Sequence, residues 1–190
     1  MIITINGDEG SGKTTVAKKL AEKLNFTRYT TGEIFREMSR KRGLSLVEYL
    51  KMGETDPSID KEVDDYVIKL SKEQDNFIID SRVAWHFISD SLKIYLKVDE
   101  EEGAKRIYEE ILKKDNRNET KKPPASVDYV MKKVQERRET DNKRYMQYYG
   151  INIRDKSNYD IVVDTTNLNP DQVFEEVLGF IRSKINVKSS

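Results

Sequence analysis

The 190-residue chain contains no cysteine. Disulfides, thiolate metal sites and cysteine nucleophiles are therefore excluded. Its single histidine, His86, leaves no imidazole cluster for zinc or iron. A serine hydrolase is disfavoured too, since His86 would have to be its only base. Neither sign of charge is in excess, because 34 basic residues stand against 34 acidic ones. A general nucleic-acid binder needs a basic surplus to displace counterions, and a polymer kinase needs a basic track, so neither is expected. Long apolar runs are also missing. Phe77-Ile78-Ile79 and Ile161-Val162-Val163 are far shorter than the roughly 20 residues of a membrane span. Met1-Ile2-Ile3-Thr4-Ile5 carries no basic leader region, so no signal peptide is expected and a soluble cytoplasmic protein is the default.

Leu, Ile, Val and Phe together number 48, enough for a globular core. The mass of 22.2 kDa suits one domain with room for a mobile subdomain. Short β-rich runs alternate with longer helical patterns. Strands are predicted at Ile2–Ile5, Phe26–Thr30, Phe77–Asp80, Leu92–Val98 and Tyr159–Asp164. Val16, Ala17, Leu20, Ala21 and Leu24 mark an amphipathic helix between the first two. A helical block fills about 32–70, with Ser45 and Glu48 as a capping box. Further helices are predicted at about 101–114, 126–149 and from Pro170, with Asn169 as N-cap. Asp115–Pro124 is polar, ends in Lys-Lys-Pro-Pro, and reads as a loop. This alternation is the pattern of a parallel sheet covered by helices on both faces.

Gly7-Asp8-Glu9-Gly10-Ser11-Gly12-Lys13-Thr14 fits the phosphate-loop pattern, with a strand before it and a helix after it. Glycines let the backbone N–H groups turn into one concavity, and the helix adds its positive end. Lys13 would reach the β- and γ-phosphates, and the Thr14 hydroxyl would ligate Mg²⁺. Asp8 and Glu9 are unfavourable beside phosphates and are expected to point outward. A GTPase would read guanine with Asn-Lys-x-Asp, but Asn142-Lys143 continues with Arg144-Tyr145. The Ser-Gly-Gly signature of transporter ATPases is absent. Val98-Asp99-Glu100 mimics an ATPase acidic strand end but reads better as a helix start.

A small kinase remains. Thr31-Gly32-Glu33-Ile34-Phe35-Arg36 follows the second strand, with Thr30 or Thr31 as cap, and offers Arg36 to a second phosphate; the alternative is a surface arginine. Asp80-Ser81-Arg82 ends a strand, where open sheets bind ligands. Asp80 could hold Mg²⁺ through water, and Arg82 could meet an acceptor phosphate; the alternative is a cap and a solvated arginine. On the long helix, Val127, Val130, Val134, Arg137, Asp141, Arg144 and Tyr148 advance by 3 and 4. Charges on such a stripe imply a bound ligand or an exposed ion-pair ladder. Trp85-His86-Phe87 could line a base pocket, although packing is the commoner outcome. Tyr145, Tyr148 and Tyr149 read as packing.

Taken in order with Tyr159-Asp160-Ile161-Val162-Val163-Asp164-Thr165, these motifs resemble the cytidylate kinase family in its short archaeal-type form, across nearly the whole chain. The resemblance implies an α/β fold, the P-loop nucleoside monophosphate kinase fold, with a five-stranded parallel sheet and helices on both faces. Its core would be 1–30, 73–114 and 150–190, its monophosphate-binding part 31–72, and its lid and long helix 115–149. It implies transfer from MgATP to CMP or dCMP. Gly7, Asp8, Glu9, Gly10, Ser11, Gly12, Lys13, Thr14 and Thr15 would bind ATP, with Thr14 and Asp80 at Mg²⁺. Thr31, Arg36, Arg82 and Arg144 would hold the acceptor phosphate, and Asp141 with Arg137 the ribose side. Lys13, Arg82, Arg137 and Arg144 would be catalytic, and Arg106 and Arg117 lid arginines. Partners would be the nucleotides alone, with no nucleic acid or membrane, and the chain a monomer or weak homo-oligomer. Ser81 replaces the family's usual glycine, and Val83 the aspartate with which bacterial members help read cytosine. A kinase for adenylate or another small phosphate acceptor, and a non-catalytic ATP-binding regulator, remain as alternatives.

Overall fold

The computed structural model describes residues 1–53, 56–115 and 124–188. Five parallel strands form one sheet in the order β2-β3-β1-β4-β5. They are β1 (Ile2–Gly7), β2 (Thr27–Thr30), β3 (Phe77–Asp80), β4 (Leu92–Lys97) and β5 (Ile161–Asp164). The helices are α1 (Lys13–Leu24), α2 (Thr31–Lys41), α3 (Leu46–Gly53), α4 (Ser58–Glu73), α5 (Ala84–Phe87), α6 (Glu100–Asp115), α7 (Val127–Tyr149) and α8 (Pro170–Lys188).

Alternation along the strands sorts side chains between two layers. Ile78 joins Ile3, Ile5 and the α1 and α8 stripes on one face, including Leu20, Val177 and Ile181. Phe77 and Ile79 join Ile34, Tyr49, Val63 and Val67 from α2, α3 and α4 on the other. A parallel strand buried on both faces has no solvent side, which is why Phe77-Ile78-Ile79 of β3 reads as an unbroken apolar run, while β1 carries Thr4 and Asn6 buried among its isoleucines.

Local chemistry sets the helix starts. Thr30 Oγ1 accepts from Glu33 N at 3.1 Å, so Thr30 is the cap of α2. The Ser45 box closes in both directions, Glu48 N donating to Ser45 Oγ and Ser45 N to Glu48 Oε2. Asn169 Oδ1 accepts from Asp171 N and Gln172 N at α8. Asp99 Oδ1 accepts from Glu101 N and Glu102 N, so the acidic strand-end mimic is a helix cap. The single helical block expected at 32–70 is three helices, divided around Gly43 (φ +69°) and before α4 at Pro57. The short α5, which carries Trp85, His86 and Phe87, had no periodic signal in the sequence.

All five strands point the same way, so the turns after β1, β2 and β3 open on one edge of the sheet. β1 lies between β3 and β4, so chain connections leave it in opposite directions and a crevice opens beyond its end.

Candidate active site

The turn after β1 wraps tightly. Gly7 stands where a Cβ would meet Leu96 O at 2.2 Å. At Gly10 (φ +80°) a Cβ would meet Gly103 O at 2.3 Å. Only glycine lets the loop lie directly on β4 and α6. Lys13 folds along the loop, its Nζ donating to Gly7 O at 2.9 Å and Asp8 O at 2.7 Å. Burial holds its ammonium down at about 8, despite the opposing charge of Asp80. Thr14 Oγ1 donates to Asp80 Oδ2 at 2.8 Å, so the two predicted metal positions share one point at the ends of β1 and β3. A hydroxyl and a carboxylate are hard oxygen donors and fit Mg²⁺, which keeps water and phosphate oxygens for its remaining positions.

Asp8 and Glu9 do not point outward. Asp8 Oδ1 accepts from Tyr95 OH at 2.8 Å and Arg154 Nη1 at 2.6 Å, and Asp8 Oδ2 accepts from Val98 N at 3.1 Å. Glu9 accepts from Arg138 Nε at 2.9 Å, Arg154 Nη2 at 3.2 Å and Arg82 Nη2 at 3.3 Å. Burial alone would raise the Glu9 carboxyl. The Arg138 hydrogen bond and the charges of Arg154 and Arg82 outweigh it and hold the group at about 2. The expectation failed because it counted only repulsion from phosphate; a buried carboxylate is stable where guanidinium groups surround it.

On the far side of Asp80 lies a cavity of about 320 Å³. Thr31, Arg36, Arg82, Arg137, Asp141 and Arg144 all line it, so the structure brings together every residue expected at the acceptor. Asp141, 7% exposed, is the hub. Its carboxylate lies 3.2 Å from Arg82 Nε, 3.4 Å from Arg144 Nη2 and 3.8 Å from Arg137 Nε. It holds three guanidinium groups together. Arg144 also lies over the Tyr145 ring at 4.9 Å. Thr31 Oγ1 donates to Asp80 O at 3.3 Å, which ties the start of α2 to the end of β3.

The long helix presents two faces to the site. Its buried positions are Val130, Asp141 and Tyr145, and the Arg138 side chain is 15% exposed against 63% for Arg137. Arg137 lines the cavity, whereas Arg138, one position on and about 100° around the helix, turns to Glu9 of the phosphate loop. Arg106 also departs from expectation. Its Nη2 donates to Thr165 O and Thr166 O, both at 2.9 Å, and its Nε to Glu102 at 2.8 Å. It is fixed on α6 beside β5 rather than poised on a lid. Arg106 borders a second cleft with Gly10–Val16, Asn169 and Pro170. Arg117 and positions 116–123 of the polar loop lie outside the described residues.

Trp85 packs on Tyr159 with ring centroids 5.4 Å apart, and its Nε1 donates to Arg82 O at 2.9 Å, steadying the Arg82 turn. Phe87 reaches the cavity, and Tyr149 stands edge-on to it at 5.3 Å.

Residues 2–167 match the family described as cytidylate kinase-like. The chain belongs to that family. It is 36% identical to the cytidylate kinase of Sulfurisphaera tokodaii, over 97% of this chain and 98% of the relative. With the cytidylate kinase of Methanosarcina mazei it shares 37% identity, over 92% and 93%. Among solved structures, an uncharacterized protein from Eubacterium ventriosum superposes with a TM-score of 0.71 at 20% identity, covering 96% and 99% of the two chains. Shikimate kinase from Acinetobacter baumannii, in complex with shikimate, gives a TM-score of 0.61 at 17% identity, over 96% and 93%. These distant likenesses show the P-loop kinase fold. As a cytidylate kinase-like protein the chain is an ATP-dependent phosphotransferase. Among the described residues, no helix is long and apolar enough to cross a membrane.

Four residues of this family member's site had escaped notice. Arg138 lies one position off the long-helix stripe. Arg154 lies in an irregular segment with no period to flag it. Asp60 and Asp64, which line the cavity, sit on the buried face of α4 beside Ile59, Val63 and Val67. Two acids four residues apart within an apolar stripe were the available signal.

Proposed function

We propose that the chain transfers the γ-phosphoryl group of MgATP to CMP or dCMP, giving ADP and CDP or dCDP. The observation that carries this reading is the hydrogen bond joining Thr14, on the cleft rimmed by the phosphate loop, to Asp80, whose chain neighbours Ser81 and Arg82 line the cavity that also holds Arg36, Arg137 and Arg144. Cytidylate kinases match over nearly the whole chain, which supports the choice of acceptor.

On this reading Gly7–Thr15 and Lys13 hold the donor phosphates through backbone N–H groups and one ammonium. Thr14 and Asp80 would hold Mg²⁺, which would supply positive charge to offset that of the phosphates. Arg36, Arg82 and Arg144 hold the acceptor phosphate, with Arg82 and Arg144 braced by Asp141. Thr31 binds substrate at the same cavity, and Arg137 with Asp141 takes the ribose side. An acceptor oxygen attacks the γ-phosphorus as its bond to the ADP oxygen breaks. Alignment and charge neutralisation do most of the work, so no general base is required. Residues 31–72 form the acceptor part and 115–149 the lid and long helix. A cytoplasmic enzyme, monomeric or weakly homo-oligomeric, acting on free nucleotides completes the proposal.

The test is ADP release from MgATP with CMP, dCMP, UMP, AMP, GMP and dTMP added singly. CMP or dCMP is expected to stimulate most. Absence of stimulation by every monophosphate refutes the proposal.

A further inference from the structure

The cavity lining holds two chemically different sets of side chains, with Arg144 where they adjoin. One is Arg36, Arg82 and Arg144. The other is Phe35, Val63, Val67 and Phe87, among which α4 projects Asp60 and Asp64, one helical turn apart. Both are deeply buried, at 9% and 8% exposure.

Their hydrogen bonding is incomplete. Asp60 Oδ2 is buried without a hydrogen-bond partner, and the nearest cation, Arg144 Nη1, stands 3.6 Å away. Asp64 Oδ2 accepts from Tyr149 OH. Burial raises both carboxyls, Asp64 to about 6. Buried acids with so few partners cost stability unless something supplies the missing donors.

On the reading proposed above, the phosphate lies against the arginines and the base toward α4. An ionised carboxylate can only accept hydrogen bonds. Cytosine presents an amino group at N4, where uracil and thymine present a carbonyl oxygen. We infer that Asp60 and Asp64 read the acceptor base, accepting from the N4 amino group of cytosine and repelling the O4 oxygen of uracil or thymine. The assignment gives α4 the discrimination that Val83, being apolar, cannot supply. Asp60 also helps orient Arg144, and Tyr149 fixes the angle of Asp64.

The test compares kcat/KM for CMP and UMP in the wild type, Asp60→Asn and Asp64→Asn. An asparagine can turn its amide N–H toward O4. The CMP:UMP preference is expected to fall by about 10- to 100-fold in at least one variant, the loss of a hydrogen bond to a charged group. A purely structural role would lower both activities together and leave the ratio unchanged. A second arm needs no variant. The wild type is assayed with the pyrimidin-2-one ribonucleoside 5′-monophosphate, which has hydrogen where CMP has the amino group. Its kcat/KM is expected to lie about 10- to 100-fold below that of CMP. Ratios within about twofold of wild type in both variants, or an analogue as good as CMP, overturn the inference while leaving the kinase reading intact. A wild type stimulated by no monophosphate overturns both.

Discussion

Glu9→Gln tests whether the arginine-bound carboxylate is part of the frame of the phosphate loop. Glu9 is 11% exposed at its side chain and faces Arg138 at 15%, Arg154 at 24% and Arg82 at 26%. Removing one partner of a buried ion pair costs about 3–5 kcal/mol when the other is left alone. Here each arginine keeps a second anion: Glu100 for Arg138, Asp8 for Arg154 and Asp141 for Arg82. The expected loss is therefore smaller, about 2–3 kcal/mol at pH 7. Linkage gives a figure of the same order, since a carboxyl held at about 2 in the fold against 4.5 without it carries about 3 kcal/mol. The sign follows from proton uptake. Between those values the unfolded chain binds the proton and the folded one does not. The contribution is complete above pH 4.5 and disappears as pH falls through 2. In urea titrations, Glu9→Gln should trail wild type by about 2–3 kcal/mol at pH 7, a melting shift of about 4–10 °C, and the gap should narrow steadily below pH 4. A variant as stable as wild type at pH 7, or a gap that persists undiminished near pH 2, refutes the reasoning.

Arg36→Ala should raise the KM for the acceptor about tenfold or more and leave the KM for ATP nearly unchanged, as steady-state kinetics with each substrate varied will show; equal rises would place Arg36 elsewhere. Gly10→Ala drives a Cβ to 2.3 Å from Gly103 O at positive φ, so nucleotide binding measured by calorimetry should weaken by about tenfold or more. An unchanged ATP affinity would mean that the loop tolerates displacement from α6.

The legible parts of the fold were those set by short-range chemistry. Strand ends, the Ser45 and Asn169 caps and the glycines of the phosphate loop all stand at fixed offsets in the chain, and the structure has them there. Arg36, Arg82 and Arg144 could be chosen because strand ends in a parallel sheet converge. What the sequence concealed was reach across the fold. Nothing near Glu9 announces that Arg138 and Arg154, more than a hundred residues later, close on it. Arg106 could not be placed for the same reason, because its partners are carbonyls of the turn after β5. Arg138 was missed for a related reason, since it lies one position off the stripe and its partners Glu9 and Glu100 are distant in the chain.

Helix α7 touches both halves of this machinery. Arg138 grips the phosphate loop through Glu9, and within the next two turns Asp141 and Arg144 face the other cavity. A rigid rod clamped at two points cannot slide or roll at one without disturbing the other. If occupancy of one cleft displaces the helix, affinity at its neighbour would change, and thermodynamic reciprocity would require the same factor in both directions. Substrate synergism in this molecule would be a mechanical property of one helix.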